Sequence, residues 1–193
     1  MKLIIASNNS HKIYEIKTIL SDKFEEILSL REASISHETV EDGNTFMENA
    51  LKKAREIAEI SGNAALADDS GICVDALDGA PGIYSARFAG NHGGNASDEA
   101  NNALLLEKLR GKSDRSAHYT AAVALVYPDG IEVCAEGYMH GTIIDERRGN
   151  HGFGYDPMFV PCGETRTVAE MSDDEKNAIS HRANALRALL EKL

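Results

Sequence analysis

Asp68 and Asp69 stand side by side after the apolar run Ala64-Ala65-Leu66-Ala67, and Ser70-Gly71 and then Gly79-Ala80-Pro81-Gly82 follow them. A buried strand that ends in paired carboxylates and a glycine turn offers hard oxygen ligands, the donors that suit magnesium. Two acids in a row are also compatible with a strand that simply terminates in a turn. Adjacent carboxylates repel, however, and one of these follows a buried run, so a metal or a nearby cation is needed to relieve the repulsion. Side chains alternate along extended backbone, which points the two carboxylates in different directions and gives them different roles. Asp69 is the one expected in a cleft, with Glu41 as a second acid from the loop ahead of the following helix.

Three further clusters ask for the same explanation. Ser7-Asn8-Asn9-Ser10-His11-Lys12 reads as a loop whose small polar side chains cap the next helix. The same geometry makes an anion cradle from free backbone N–H groups and the Lys12 ammonium, without a glycine-rich loop. Phe153-Gly154-Tyr155-Asp156-Pro157 is an aromatic turn, suited to stacking on a flat base or to plugging a core. Ser180-His181-Arg182 is either a helix cap with two exposed residues or a polar contribution to the same site. Lys53, one helical turn beyond Asn49, belongs at a cleft edge. Together these groups describe a pocket for a nucleoside triphosphate.

Other motifs carry less. Gly152-Phe153-Gly154 is no dinucleotide fingerprint, because Pro157 stands at the third glycine and no buried strand precedes it. Gly111-Lys112-Ser113 lacks the first glycine of a P-loop, where Leu106 stands, and reads as a surface turn. His92, His118, His140 and His151 show no metal-ligand spacing. Cys73, Cys134 and Cys162 are odd in number and widely spaced, as reduced thiols are.

The elements that must hold these groups are legible in outline. Residues 2–6 read as a buried strand, followed by a helix carrying Ile13, Ile16, Ile19 and Leu20, and residues 24–30 as a second strand. Residues 38–44 form a polar loop before a helix that Thr45 and Glu48 cap reciprocally, with Phe46, Ala50, Ala54, Ile57 and Ala58 on its apolar face. Strand segments are expected at 64–67 and 72–74, on either side of the carboxylates. A flexible loop follows at 90–94, then a helix over 97–109 with Ser97 as N-cap. Residues 117–127 and 131–138 flank Pro128-Asp129-Gly130, a hairpin signal that makes the sheet mixed, and 181–193 closes the chain as a helix.

At 193 residues, 42% hydrophobic and 26% charged, the chain suits one domain, 1–193, with a core that a cleft divides into two lobes. No stretch matches a membrane span and the apolar opening is too short for a signal peptide, so a cytoplasmic location is expected. A net charge of −11 argues against a nucleic-acid binder and confines any phosphate site to a few converging cations.

In order and spacing, these residues resemble the inosine/xanthosine triphosphate pyrophosphatase family. The resemblance runs through Ser7-Asn8-Asn9, Thr45-Phe46 with Glu48-Asn49-Ala50, Ala67 to Gly71, Gly79 to Arg87, Phe153 to Pro157, and Lys176 with Ser180 to Arg182, almost the whole chain. It implies an elongated mixed sheet flanked by helices, an active cleft between two lobes, and a homodimer. It further implies hydrolysis of ITP, dITP and XTP to monophosphate and pyrophosphate with Mg2+. Ser7, Asn8, Asn9, Ser10, His11, Lys12 and Lys53 then match triphosphate-binding groups, Glu41 and Asp69 the metal ligands, and Asp69 the acceptor of the water proton. Ser70, Phe153, Gly154, Tyr155, Asp156, Lys176, His181 and Arg182 complete the nucleotide site. Many members have Thr-Gly-Asn where this chain has Ser7-Asn8-Asn9, and the 90–94 loop is slightly longer than usual; both differences touch loop conformation and leave the charged groups in place. Two alternatives remain open: a pyrophosphatase for another modified nucleotide, such as a modified pyrimidine triphosphate, and a regulator that senses nucleotides without turning them over.

Overall fold

The computed structural model describes residues 2–90 and 94–193, so His92 and the centre of the 90–94 loop lie outside the described residues. The chain forms β1 (Lys2–Ile5), α1 (Ser10–Leu20), β2 (Glu26–Ser29), α2 (Phe46–Ser61), β3 (Ala64–Val74) and α3 (Asp98–Lys108). It continues with β4 (Ser116–Val126), β5 (Glu132–Ile143), β6 (Phe159–Pro161), α4 (Asp173–Ile179) and α5 (His181–Leu190). The strands make one sheet in the order β2-β1-β3-β4-β5-β6. β1 is parallel to β2 and β3, and β5 is antiparallel to β6, so the mixed sheet flanked by helices is as expected. Among the described residues no helix is long and apolar enough to cross a membrane.

Two compact units share these strands. The first comprises Met1–Asp69, Ala121–Gly137 and His181–Leu193; the second comprises Ser70–Thr120 and Tyr138–Ser180. Strand alternation organises the first. Leu3, Ile5, Ala64, Leu66, Ala121 and Val123 pack with Ile16 and Leu20 of α1 and with Leu186 and Leu189 of α5. The residues between them, Ile4, Ala65, Ala67, Ala122 and Ala124, pack with Ala50, Ala54, Ile57 and Ala58 of α2. One face of the sheet therefore meets α1 and α5, and the other meets α2. Each fully buried Leu or Ile contributes about 1.5–3 kcal/mol through the apolar surface it withdraws from water. In the second unit Ile72, Leu105, Tyr119, Tyr155, Met158 and Phe159 belong to a separate core, where the Tyr119 and Phe159 rings meet edge to face with centroids 4.9 Å apart.

The structure corrects the expectation of two strand segments around the carboxylates. β3 runs unbroken from Ala64 to Val74, with Asp68 and Asp69 inside it. Its second half is held in register by the Gly79–Arg87 stretch: Ser85 Oγ accepts the Ile72 N–H at 2.9 Å and donates to Gly82 O at 2.6 Å. Gly71 makes this approach possible, because a Cβ there would overlap Ser85 Oγ and Gly82 O. Only half of the capping box at α2 forms: Thr45 Oγ1 accepts the Glu48 N–H, while the Glu48 carboxylate takes the Asn44 N–H instead. β6 and α4, too short for a periodic signal, were not anticipated.

Candidate active site

In the first unit, the loop after β1 uses its small polar groups as helix caps. Asn9 Oδ1 accepts the His11 and Lys12 N–H groups at 3.0 and 3.1 Å, and Ser7 Oγ accepts the Asn9 N–H at 3.2 Å. Asn8, Asn9, Ser10 and His11 are exposed along this first turn of α1. Lys12 reaches from it to Asp68, with Nζ 2.6 Å from Oδ1.

The alternation of β3 then separates the two carboxylates. Asp68 continues the Ala64, Leu66 side toward α1 and α5, where Arg182 Nε and Nη2 donate to its two oxygens at 3.1 and 3.3 Å. Arg182 Nη1 donates to Glu15 of α1. The Asp68 and Arg182 side chains are both 0% exposed. Burial works against ionisation of Asp68, but the charges of Arg182 and Lys12 outweigh it and hold the carboxyl well below the usual carboxylate range. His181, beside Arg182 at the start of α5, is also buried.

Asp69 continues the Ala65, Ala67 side toward α2. Asn49 Nδ2 donates to its Oδ2 at 3.1 Å, and Lys53 Nζ lies 3.5 Å from its Oδ1. The same ammonium donates to Glu41 Oε1 at 2.6 Å and to Asp68 O at 3.0 Å. Asn49 Oδ1 accepts the Gly43 N–H at 2.8 Å, which ties the acidic loop to the helix. Burial raises the Asp69 carboxyl above its ordinary value against the opposing charges of Lys53 and Lys12. Burial also lowers Lys53, but Asp69 and Glu41 more than compensate, and the ammonium stays charged. Two neighbouring residues thus differ in kind: one carboxylate is locked between cations, and the other is left more basic than an ordinary aspartate.

Among the described residues no group of three or more His, Cys, Asp or Glu side chains is arranged to hold a metal. Glu41 and Asp69 nevertheless converge on one cationic position, occupied by the Lys53 ammonium, and offer only carboxylate oxygens. This donor set fits magnesium, which keeps several waters and shares substrate phosphates with one or two carboxylates.

In the second unit Asp156 gathers the aromatic turn. Its Oδ2 accepts the Phe153 N–H and the Lys176 ammonium, each at 3.0 Å, and its Oδ1 accepts the Tyr119 hydroxyl at 3.1 Å. Lys176 Nζ stands 4.7 Å from the centroid of the half-buried Phe153 ring. α3 grips the Gly154 peptide at both ends: Asp98 Oδ2 accepts its N–H at 2.6 Å, and Asn102 Nδ2 donates to its carbonyl at 3.0 Å. Tyr155 is buried and donates to Ser85 O at 2.8 Å, so the turn both plugs a core and presents a ring. Ser70, half-buried, follows Asp69 on β3.

The structure thus brings Lys12, Lys53, Glu41, Asp69, His181 and Arg182 into the first unit, and Phe153, Gly154, Asp156 and Lys176 into one cluster of the second. Sequence reasoning passed over Asn49 as a partner of Asp69, Glu15 as a partner of Arg182, and Tyr119, Asp98 and Asn102 around the aromatic turn. Asn49 had a signal, since it lies one turn from Lys53 on the margin of an apolar stripe. Glu15 had a weaker one, an acid next to the buried Ile16.

A profile of the Ham1 family matches residues 3–192. The chain belongs to the Ham1 family. It is 49% identical over 200 residues to the dITP/XTP pyrophosphatase of Clostridium perfringens, covering 100% of this chain and 97% of the relative. It is 50% identical over 189 residues to that of Exiguobacterium, covering 98% and 95%. The fold matches the Ham1 protein of Coxiella burnetii with a TM-score of 0.88 and 40% identity over 100% of both chains. A nucleoside-triphosphatase, or dITP/XTP pyrophosphatase, of Mycobacterium abscessus matches with a TM-score of 0.77 and 46% identity, over 98% of this chain and 99% of that one. Family membership agrees with the resemblance drawn from the sequence motifs.

Proposed function

We propose that this protein is a nucleoside-triphosphate diphosphatase that converts dITP, XTP and ITP to the monophosphate and pyrophosphate, keeping deaminated purines out of DNA and RNA. The observation that carries the proposal is the division of labour between adjacent carboxylates. Asp68 is sequestered by Arg182 and Lys12, whereas Asp69 keeps a raised proton affinity beside Lys53, Asn49 and Glu41. Family relatives named dITP/XTP pyrophosphatase support the substrate class.

In this reading Asp69 accepts a proton from the water whose oxygen attacks the α-phosphorus. The bond from that phosphorus to the bridging oxygen breaks, and its electron pair leaves with pyrophosphate. Asn49 holds the Asp69 carboxylate in position, and Lys12 and Lys53 offset the phosphate charge at the first turn of α1 and at α2. Ser7, Asn8, Asn9, Ser10 and His11 add polar groups and backbone N–H donors to the triphosphate. Magnesium held by Glu41 and Asp69 would supply further neutralisation of phosphate oxygens. Phe153 offers a face for the purine, and Gly154, Tyr155, Asp156, Lys176 and Ser70 shape its surroundings. His181 is the donor we assign to the 6-keto oxygen, which adenine replaces with a donor of its own. Arg182 acts behind it, by fixing Asp68. A homodimer in the cytoplasm goes with this reading.

Pyrophosphate release measured with magnesium across ITP, XTP, dITP, GTP, ATP and dTTP tests it. Turnover confined to ITP, XTP and dITP is expected. Preferential hydrolysis of a pyrimidine triphosphate would move the assignment to another modified nucleotide, and binding without turnover would make the protein a sensor.

A further inference from the structure

Among the described residues that bond Asp156, the Tyr119 hydroxyl is the one that the proposed reaction does not use. Asp156 is buried, and its two oxygens are divided: Oδ2 serves Phe153 N–H and Lys176, while Oδ1 faces the Tyr119 hydroxyl at 3.1 Å. Lys176 is itself buried, and its ammonium has to be aimed to sit 4.7 Å from the centre of the Phe153 ring. The two oxygens of a carboxylate turn together about the Cβ–Cγ bond, so each hydrogen bond to either of them restrains its plane. The Lys176 and Phe153 bonds converge on Oδ2, and the Tyr119 hydroxyl adds a third bond at Oδ1 that resists the same rotation from the other end. Gly152, with φ of +76°, lies so close that a Cβ there would overlap Oδ2, so this end of the carboxylate is packed against backbone as well as hydrogen-bonded. The Tyr119 ring is fixed in turn by β4 and by its edge contact with Phe159.

We propose that Tyr119 is a specificity-positioning residue: its hydroxyl helps to hold the Asp156 carboxylate, and through it the placement of Lys176 and Phe153 against the purine ring. Tyr119 touches no substrate in this scheme and acts through Asp156. The inference rests on the reading of Phe153 and Lys176 as the ring site. Burial and the Asp156 charge both push the Tyr119 phenol well above its ordinary value, so the hydroxyl keeps its proton and remains a donor throughout the working pH range.

The test is Tyr119→Phe, which removes one oxygen and leaves the ring and its contact with Phe159. KM for ITP should rise about tenfold, the loss of one hydrogen bond to a charged acceptor, with kcat changed less than twofold. Inhibition by IMP, which carries the ring, should weaken by the same factor, and inhibition by pyrophosphate, which lacks it, should not change. Inhibition constants do not depend on the active fraction, so a partly unfolded preparation gives the same ratio. In a Lys176→Met background the effect should shrink, because one of the two paths from Asp156 is already cut. Equal weakening toward IMP and pyrophosphate would mean a general structural role and overturn the proposal. So would an unchanged KM for ITP, or an effect that adds fully to Lys176→Met. Wild-type protein that fails to hydrolyse ITP would instead overturn the functional reading, which is a separate and visible result.

Discussion

One residue's step along β3 decides whether a carboxylate is locked between Arg182 and Lys12 or keeps a raised proton affinity beside Asn49 and Lys53. Asp69→Asn keeps the shape and the Asn49 contact but removes the proposed proton acceptor, so pyrophosphate release should fall to background while circular dichroism and melting temperature stay near wild type. Arg182→Ala does the opposite. It takes the arginine from buried Asp68, which keeps Lys12, and from Glu15, and loss of one partner from a buried ion pair costs about 3–5 kcal/mol, which a denaturant titration would read directly. The pH dependence has a definite sign. Because the Asp68 carboxyl is held below its unfolded value, its stabilising contribution is present at neutral pH and is lost only as pH falls through the folded value. Melting temperatures of wild type and Asp68→Asn should therefore keep a constant gap from pH 8 to 6 and converge only in strong acid. That the adjacent acids face opposite sides was legible in the sequence, since strand alternation demanded it. The partners were less so: Arg182 and Glu15 lie 167 positions apart, and no local pattern links residues at that separation.

At the scale of elements, α2 has two working faces. Ala50, Ala54, Ile57 and Ala58 enter the core, while residues at helical spacing on the other side hold the acidic loop. Glu48 takes Asn44 N–H, Asn49 takes Gly43 N–H, Lys52 pairs with Asp42, Lys53 with Glu41, and Glu56 receives Thr39 and His37. The capping residue and apolar stripe made this helix readable; the loop contacts were not, because they join a segment without periodicity to a helix face that looks merely solvated. Glu56→Ala releases the start of the loop at a surface site, so stability should change by about 1 kcal/mol or less. The magnesium concentration for half-maximal pyrophosphate release should nevertheless rise severalfold, because Glu41 rides on the same loop. An unchanged magnesium requirement would separate the loop anchor from the acid it carries. Continuity of β3 was misread for a related reason: glycine and acids signal a turn, and only the distant Ser85 shows why the backbone stays extended.

For the whole molecule, the net charge of −11 sets the conditions under which the protein meets anions. Duplex DNA binding depends on displacing counterions with basic side chains, so no retention of duplex on a gel is expected at about 0.1 M salt, and clear retardation there would contradict the charge argument. The mixed sheet and the order of its main elements followed from periodicity and turns, whereas the division into two discontinuous units did not, because each is assembled from segments that the chain leaves and revisits. Pairing of β3 with β1 runs Leu3 with Ala64, Ile4 with Ala65 and Ile5 with Leu66. That alignment also fixes which acid arrives on which side. Inserting one residue between Leu66 and Asp68 would turn Asp68 to the α2 side and Asp69 to the opposite side, exchanging the faces on which the two acids stand. Strand phase is in this sense a reading frame for chemistry.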